Sequence, residues 1–187
     1  MISLRFLLIF SVLMTSIAYA KIEVNTIFDN IVQNSSKSRN FIEVHSETFF
    51  TNEIISTGIV SLSSDGVMSK YIHTPKKSES HITEETLLLI NNEGKEKSVI
   101  IANYPVLASS VNVIKWLLLG DVEKIASNYA IEYLAKTDKW EIELVPKDEE
   151  VLAEIPSILI KGHLGIIDTI KLIKSNGADV TTTFSDL

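Results

Sequence analysis

The chain has 187 residues, 45% of them hydrophobic, which is enough for one domain of ordinary size with a real core. It has no cysteine, so neither a disulfide framework nor a lipid-bearing cysteine enters the argument. Seventeen basic residues against 24 acidic ones give a net charge of −7, which argues against nucleic acid as a partner and against simple electrostatic adhesion to anionic lipid.

Arg5, an apolar run over 6–17 and the small-x-small step Ala18-Tyr19-Ala20 form the pattern of a cleaved secretory signal. The run is shorter than the roughly 20 apolar residues that a membrane-spanning helix needs, and Ser11, Thr15 and Ser16 interrupt it. Cleavage after Ala20 leaves 21–187 as a single mature domain with 16 basic and 24 acidic residues, a balance of −8. The expectation is an exported, soluble protein that is not itself a lipoprotein.

Residues 22–32 have the spacing of an amphipathic helix, with Ile27, Phe28, Ile31 and Val32 on the apolar side. A polar connector, 34–40, leads into a strand over 40–51. One parity of that strand holds Phe41, Glu43, His45, Glu47 and Phe49. The next strand, 54–63, contains Gly58, which marks a bulge or bend. Asp65-Gly66 turns it into 67–74, an antiparallel hairpin that Pro75 ends because it has no N–H to donate.

Short strands follow over 78–83, 86–92 and 97–104. Pro105 then changes the pattern: 106–119 places Leu107, Val111, Ile114 and Leu118 at helical spacing, with Val113, Trp116 and Leu117 widening the stripe. Gly120 is a C-cap, and Asp121 caps a second short helix over 122–127. Strands resume at 129–136, 140–146, 155–161, 166–174 and 180–184, with turns that include 147–150 and Asn176-Gly177. The plan is one N-terminal helix, about ten strands and one helical insertion. A meander this long must curl to protect its edges and bury its inner face. Two helices cannot cover both faces, so the inner face is either filled by its own side chains or lined for a ligand.

Catalytic patterns are sparse. His45, His73, His81 and His163 have no metal-ligand spacing. Glu43, His45 and Glu47 could form a weak metal or acid–base site, but such a row reads first as a solvated strand face. Ser63-Ser64-Asp65 is turn chemistry, Asp148-Glu149-Glu150 a solvated charge run, and Asn34-Ser35-Ser36 a chance glycosylation sequon. No catalytic residue, metal or cofactor is expected. Helix 106–119 is either a core helix or a lid over an apolar cavity. In the second case hydrocarbon binding needs no polar contact, since each buried methylene contributes about 0.8 kcal/mol. Trp116 would then sit at the rim.

The order of features resembles the LolA family, the periplasmic carriers of outer-membrane lipoproteins. The likeness rests on Phe41-x-Glu43, the hairpin with its Thr74-Pro75 step, Pro105-Val106-Leu107-Ala108, Leu118-Leu119-Gly120-Asp121 and the run Trp140 to Asp148. Segments 158–162 and 177–184 continue it, so it covers nearly the whole mature chain. The resemblance implies a mainly β, α+β fold: an unclosed antiparallel β-barrel capped by helices around a hydrophobic cavity. It implies a monomeric periplasmic carrier that takes acyl chains from an inner-membrane donor complex to an outer-membrane acceptor. LolA has an arginine at the hairpin turn that helps hold the lid, and the matching position here is about Ser64. Related members of this branch accompany aryl-polyene pathways, so another small hydrophobic molecule or its precursor is the alternative ligand, and a hydrolase around Glu43, His45 and Glu47 the remote one. The cavity set comprises Leu107, Val111, Ile114, Trp116 and Leu118 on the helix, with Phe49, Val60, Leu62, Ile72 and Ile101 on the sheet. Lys70 is the candidate headgroup contact.

Overall fold

β-branched residues at alternating positions, cut by Gly- and Asn-containing turns, produce a single eleven-stranded antiparallel sheet. The computed structural model describes residues 24–34, 38–48, 53–136 and 138–187. The expected signal segment and Phe49 lie outside them. In chain order a helix, α1 (Val24–Asn34), precedes β1 (Ser38–Ser46), β2 (Ile54–Leu62), β3 (Met68–Thr74), β4 (Ser78–Ile82), β5 (Thr86–Ile90) and β6 (Glu96–Ile100). Two helices follow, α2 (Pro105–Leu119) and α3 (Val122–Asn128). The chain then adds β7 (Tyr129–Lys136), β8 (Lys139–Pro146), α4 (Glu149–Glu154), β9 (Ser157–His163), β10 (Ile166–Ile173) and β11 (Asp179–Ser185).

The strand order is β6-β5-β4-β3-β2-β1-β11-β10-β9-β8-β7. Two meanders therefore meet where β1 pairs with β11, and the sheet stays open between β6 and β7. The chain crosses from one free edge to the other through α2 and α3, which lays α2 across the inner face. That route is the element that positions the site.

Local chemistry explains each end of α2. Pro105 occupies its first turn, where a missing N–H costs nothing. Gly120 takes a left-handed φ of 67°, and the Asp121 N–H donates to the Trp116 carbonyl at 2.9 Å. A Cβ on Gly120 would also lie 2.3 Å from Val32. The stripe of α2 then joins two hydrophobic clusters. One gathers Phe28, Leu117, Ile125, Ile142 and Ile160; the other gathers Phe41, Met68, Ile82, Leu87 and Ile101. Ile114 and Leu118 pack against both.

Three sequence expectations shift. The strand expected over 97–104 ends at Ile100, because Ile101–Asn103 forms a 3-10 turn that delivers Pro105 to the helix start. Ile101 is buried there, and its N–H donates to the Glu85 carbonyl. The turn expected at 147–150 instead opens α4: Asp148 Oδ1 accepts from the Glu150 and Val151 N–H groups at 3.0 Å each. Glu149 and Glu150 then favour the positive end of that helix. The strand expected from 155 accordingly starts at Ser157.

Gly58 does mark a bulge, with the β2–β3 register shifting between Thr57 and Gly58. A Cβ at that position would lie 1.9 Å from the Tyr71 carbonyl oxygen and 3.0 Å from the Phe41 ring. Gly58→Ala is expected to cost about 1–3 kcal/mol of stability through this overpacking. Urea unfolding should show a lowered midpoint at unchanged slope; an unchanged midpoint would contradict the close approach.

Candidate functional site

Alternation on β1 puts Arg39, Phe41, Glu43 and His45 on one face, and the register extends that face sideways. Phe41 lies opposite Phe184 and Gly58, Glu43 opposite Thr182, and Arg39 opposite Val60. Val60 in turn pairs with Lys70 of β3. A central strand thus carries charged groups toward the helix that crosses the sheet.

Between α2 and this face lies a cavity of about 660 Å³. Val106, Leu107, Val111 and Ile114 line it from α2, and Met68, Ile82, Ile158 and Ile170 from the sheet. Its polar wall is formed by Glu43, His45, Lys70 and Thr182, with Glu154, Lys174 and Asn176 also lining it. A volume of this size suits a compact ligand whose body is apolar and whose orientation is set by a few polar groups.

The polar wall is a connected network. Lys70 Nζ donates to Glu43 Oε2 at 2.6 Å, and Thr182 Oγ1 donates to the same oxygen at 3.0 Å. His45 Nε2 lies 2.9 Å from Glu43 Oε1. The Lys70 ammonium also sits 4.7 Å from the centre of the Phe41 ring, a cation–π distance. Burial pushes the Glu43 carboxyl upward, but the charge and hydrogen bond of Lys70, aided by His45, hold it below the usual glutamate value. Glu43 is therefore a largely buried carboxylate with both oxygens engaged, where the strand pattern read first as a solvated row.

A second space of about 30 Å³ lies on the other side of Ile114 and Ile170, which line both. Arg39, Val60, Leu62, Leu118 and Phe184 complete it.

Of the residues expected from sequence, Leu107, Val111, Ile114 and Lys70 meet in the large cavity. Val60, Leu62 and Leu118 meet with Ile114 at the small one. Trp116 lines a separate recess of about 170 Å³ with Ser109, Tyr129 and Pro146. Ile72 and Ile101 pack into the second hydrophobic cluster. Arg39, Met68, Ile82, Ile158, Ile170 and Thr182 join the site without having been singled out. Parity with Phe41 and Glu43 was the available signal for Arg39; the others depend on pairing across the sheet. Glu47 lies 3.7 Å from Lys174 in an ion pair. Among the described residues no group of three or more His, Asp or Glu side chains is placed to hold a metal ion.

The family described as "Outer membrane lipoprotein carrier protein LolA-like" matches residues 16–184. The chain belongs to the LolA-like family. It is a family of carrier proteins that bind hydrophobic ligands. No curated protein matches the chain. Solved structures similar to this LolA-like chain include the LolA superfamily protein NE2245 from Nitrosomonas europaea, at 9% identity and a TM-score of 0.44, covering 86% of this chain and 90% of that one. The MucA/MucB complex of Pseudomonas aeruginosa is 12% identical with a TM-score of 0.43, covering 87% of this chain and 55% of that one. LprF from Mycobacterium bovis is 14% identical with a TM-score of 0.36, covering 86% and 90%.

The Glu43–Lys70 pair makes a pH-dependent prediction. A carboxylate held below its unfolded pKa stabilises the fold above that pKa, and the contribution is lost as pH falls through the folded value. Lys70→Met leaves the buried carboxylate without its cation and should cost about 1.5–3 kcal/mol at pH 7. The gap from the parent protein should narrow as pH falls through the glutamate range, because Glu43, desolvated and without its cation, protonates earlier in the variant than in the parent, where Lys70 holds its pKa down. Urea titrations at several pH values measure it, and a gap independent of pH would contradict the role of the pair.

Proposed function

We propose that this protein is a periplasmic carrier that shelters acyl chains of a lipoprotein or lipid beneath α2 and passes them between the inner and outer membranes. The observation that carries this reading is the roughly 660 Å³ cavity between an apolar helix and the inner sheet face. Family membership supports it, because a carrier needs such a space and no chemistry. The apolar side chains of α2 act as a removable cover: hydrocarbon beneath them is out of water, and no covalent bond has to form or break.

In this reading residues 1–20 direct export and 21–187 work as a single domain and a monomer. An inner-membrane donor complex loads the cavity, and an outer-membrane acceptor empties it. No helix among the described residues is long and apolar enough to cross a membrane. Leu107, Val111 and Ile114 contact the chains, with Leu118, Val60 and Leu62 behind them. Lys70, already paired with Glu43, presents its remaining N–H groups to the polar end of the cargo.

Ile114→Asp puts a carboxylate into this apolar space and should weaken binding of a fluorescent fatty-acyl probe by more than about tenfold. Unchanged affinity would mean that the probe does not enter beneath α2. Native mass spectrometry of protein purified from its own periplasm should show lipid-mass adducts. A ligand-free mass there counts against the carrier reading.

A further inference from the structure

Arg39 is an incompletely compensated charge on the inner face. Its side chain is only 12% exposed. Nη1 donates to the Ile167 carbonyl at 2.6 Å, which leaves the opposite edge of the guanidinium, Nε with Nη2. Nε is buried and has no hydrogen-bond partner among the described residues. Among the described residues Nη2 pairs with Asp186, at 3.7 Å, and that carboxylate is 87% exposed. The Phe184 ring lies 5.8 Å from the guanidinium carbon and gives the cation a second, weak partner.

Arginine is a permanent cation, and an unpaired donor out of water is costly, so such a group in a folded protein calls for an explanation. The Nε–Nη2 edge has the parallel pair of N–H groups that matches a carboxylate or phosphate in bidentate fashion. Arg39 lines the small space with Val60, Leu62, Ile114 and Leu118. Ile114 and Ile170 are the partition between that space and the large cavity, since both line both. Arg39 therefore stands behind two side chains that also wall the large cavity.

We propose that Arg39 recognises the anionic terminus of the cargo, so that the protein selects acidic single-chain amphiphiles, with the hydrocarbon in the large cavity and the anionic group on the Nε–Nη2 edge. The proposal rests on the carrier reading, narrows its cargo to single-chain ligands, and puts Arg39 in place of Lys70 as the contact for the polar end. Capacity agrees with one chain. If a methylene takes about the volume of one liquid water, roughly 30 Å³, the 660 Å³ cavity holds some twenty such groups.

The test compares hexadecanoate, hexadecyl phosphate and hexadecanol as competitors of a fluorescent acyl probe, on the full mature chain and on Arg39→Gln and Arg39→Lys. The parent protein should bind at least one of the two anions about tenfold or more tighter than the alcohol, and which anion it is distinguishes a carboxylate from a phosphate headgroup. Arg39→Gln should lose that preference while keeping its affinity for hexadecanol, and Arg39→Lys should retain part of it. Ile114→Ala, which thins the partition, should keep the preference for the anion. Equal affinity for acid, phosphate and alcohol in the parent protein overturns the role of Arg39 and leaves the carrier reading standing. That comparison needs no variant, so it decides the matter even if Arg39→Gln does not fold. Failure of all three ligands to displace the probe overturns the carrier reading, and this proposal with it.

Discussion

The inner face of the eleven-stranded sheet is not wholly filled by its own side chains and the helices packed on it, and the way α2 meets that surface governs the site. Ile114 and Leu118 touch both hydrophobic clusters, so the helix is anchored at two places and spans the gap between them. Leu117 and Val113 are buried in the first cluster, whereas Leu107 and Val111 are only partly buried, packed against the second cluster on one side and lining the cavity on the other. The same helix is thus part core and part roof. Its apolar stripe serves both the core and the cavity wall.

The open edges give this arrangement its logic. A closed barrel would remove the free edges but leave no gap for a helix to cross. Here the join of β1 with β11 makes a continuous sheet, while β6 and β7 remain apart and the intervening chain folds over the inner face. The central position of β1 puts its alternating residues deep under α2. Charged residues there have to be compensated, and Glu43 is, by Lys70, Thr182 and His45. Arg39, two positions before Phe41 on the same face, is compensated far less. That asymmetry along one strand distinguishes a structural ion network from a group with donor capacity left over.

Much of the fold was readable in the residues themselves. The hairpin turn at Asp65-Gly66, the Pro105 start and Gly120 end of α2, and the Asn176-Gly177 turn depend on interactions within a few residues, so propensity and turn chemistry are enough. The Gly58 bulge was legible for the same reason. The α4 helix was missed because its signal, an Asp cap followed by two glutamates, looks the same as a solvated charge run until Val151 is buried. The break after Ile100 was missed because three β-branched residues promise a strand, and only the burial of Ile101 turns the chain.

The sequence by itself determined the mainly β character, the helical insertion, and the family to which the chain belongs, since all of these rest on local pattern and on motif order. The tertiary structure alone decided that Glu43 is buried and paired with Lys70, that Trp116 faces away from the large cavity, and that Arg39 shares a space with Ile114. The physical reason is register. Residues such as Glu43 and Thr182, or Val60 and Lys70, are far apart or on separate strands in the chain. Backbone hydrogen bonding between strands sets them side by side, and a shift of one residue would have turned each to the opposite face.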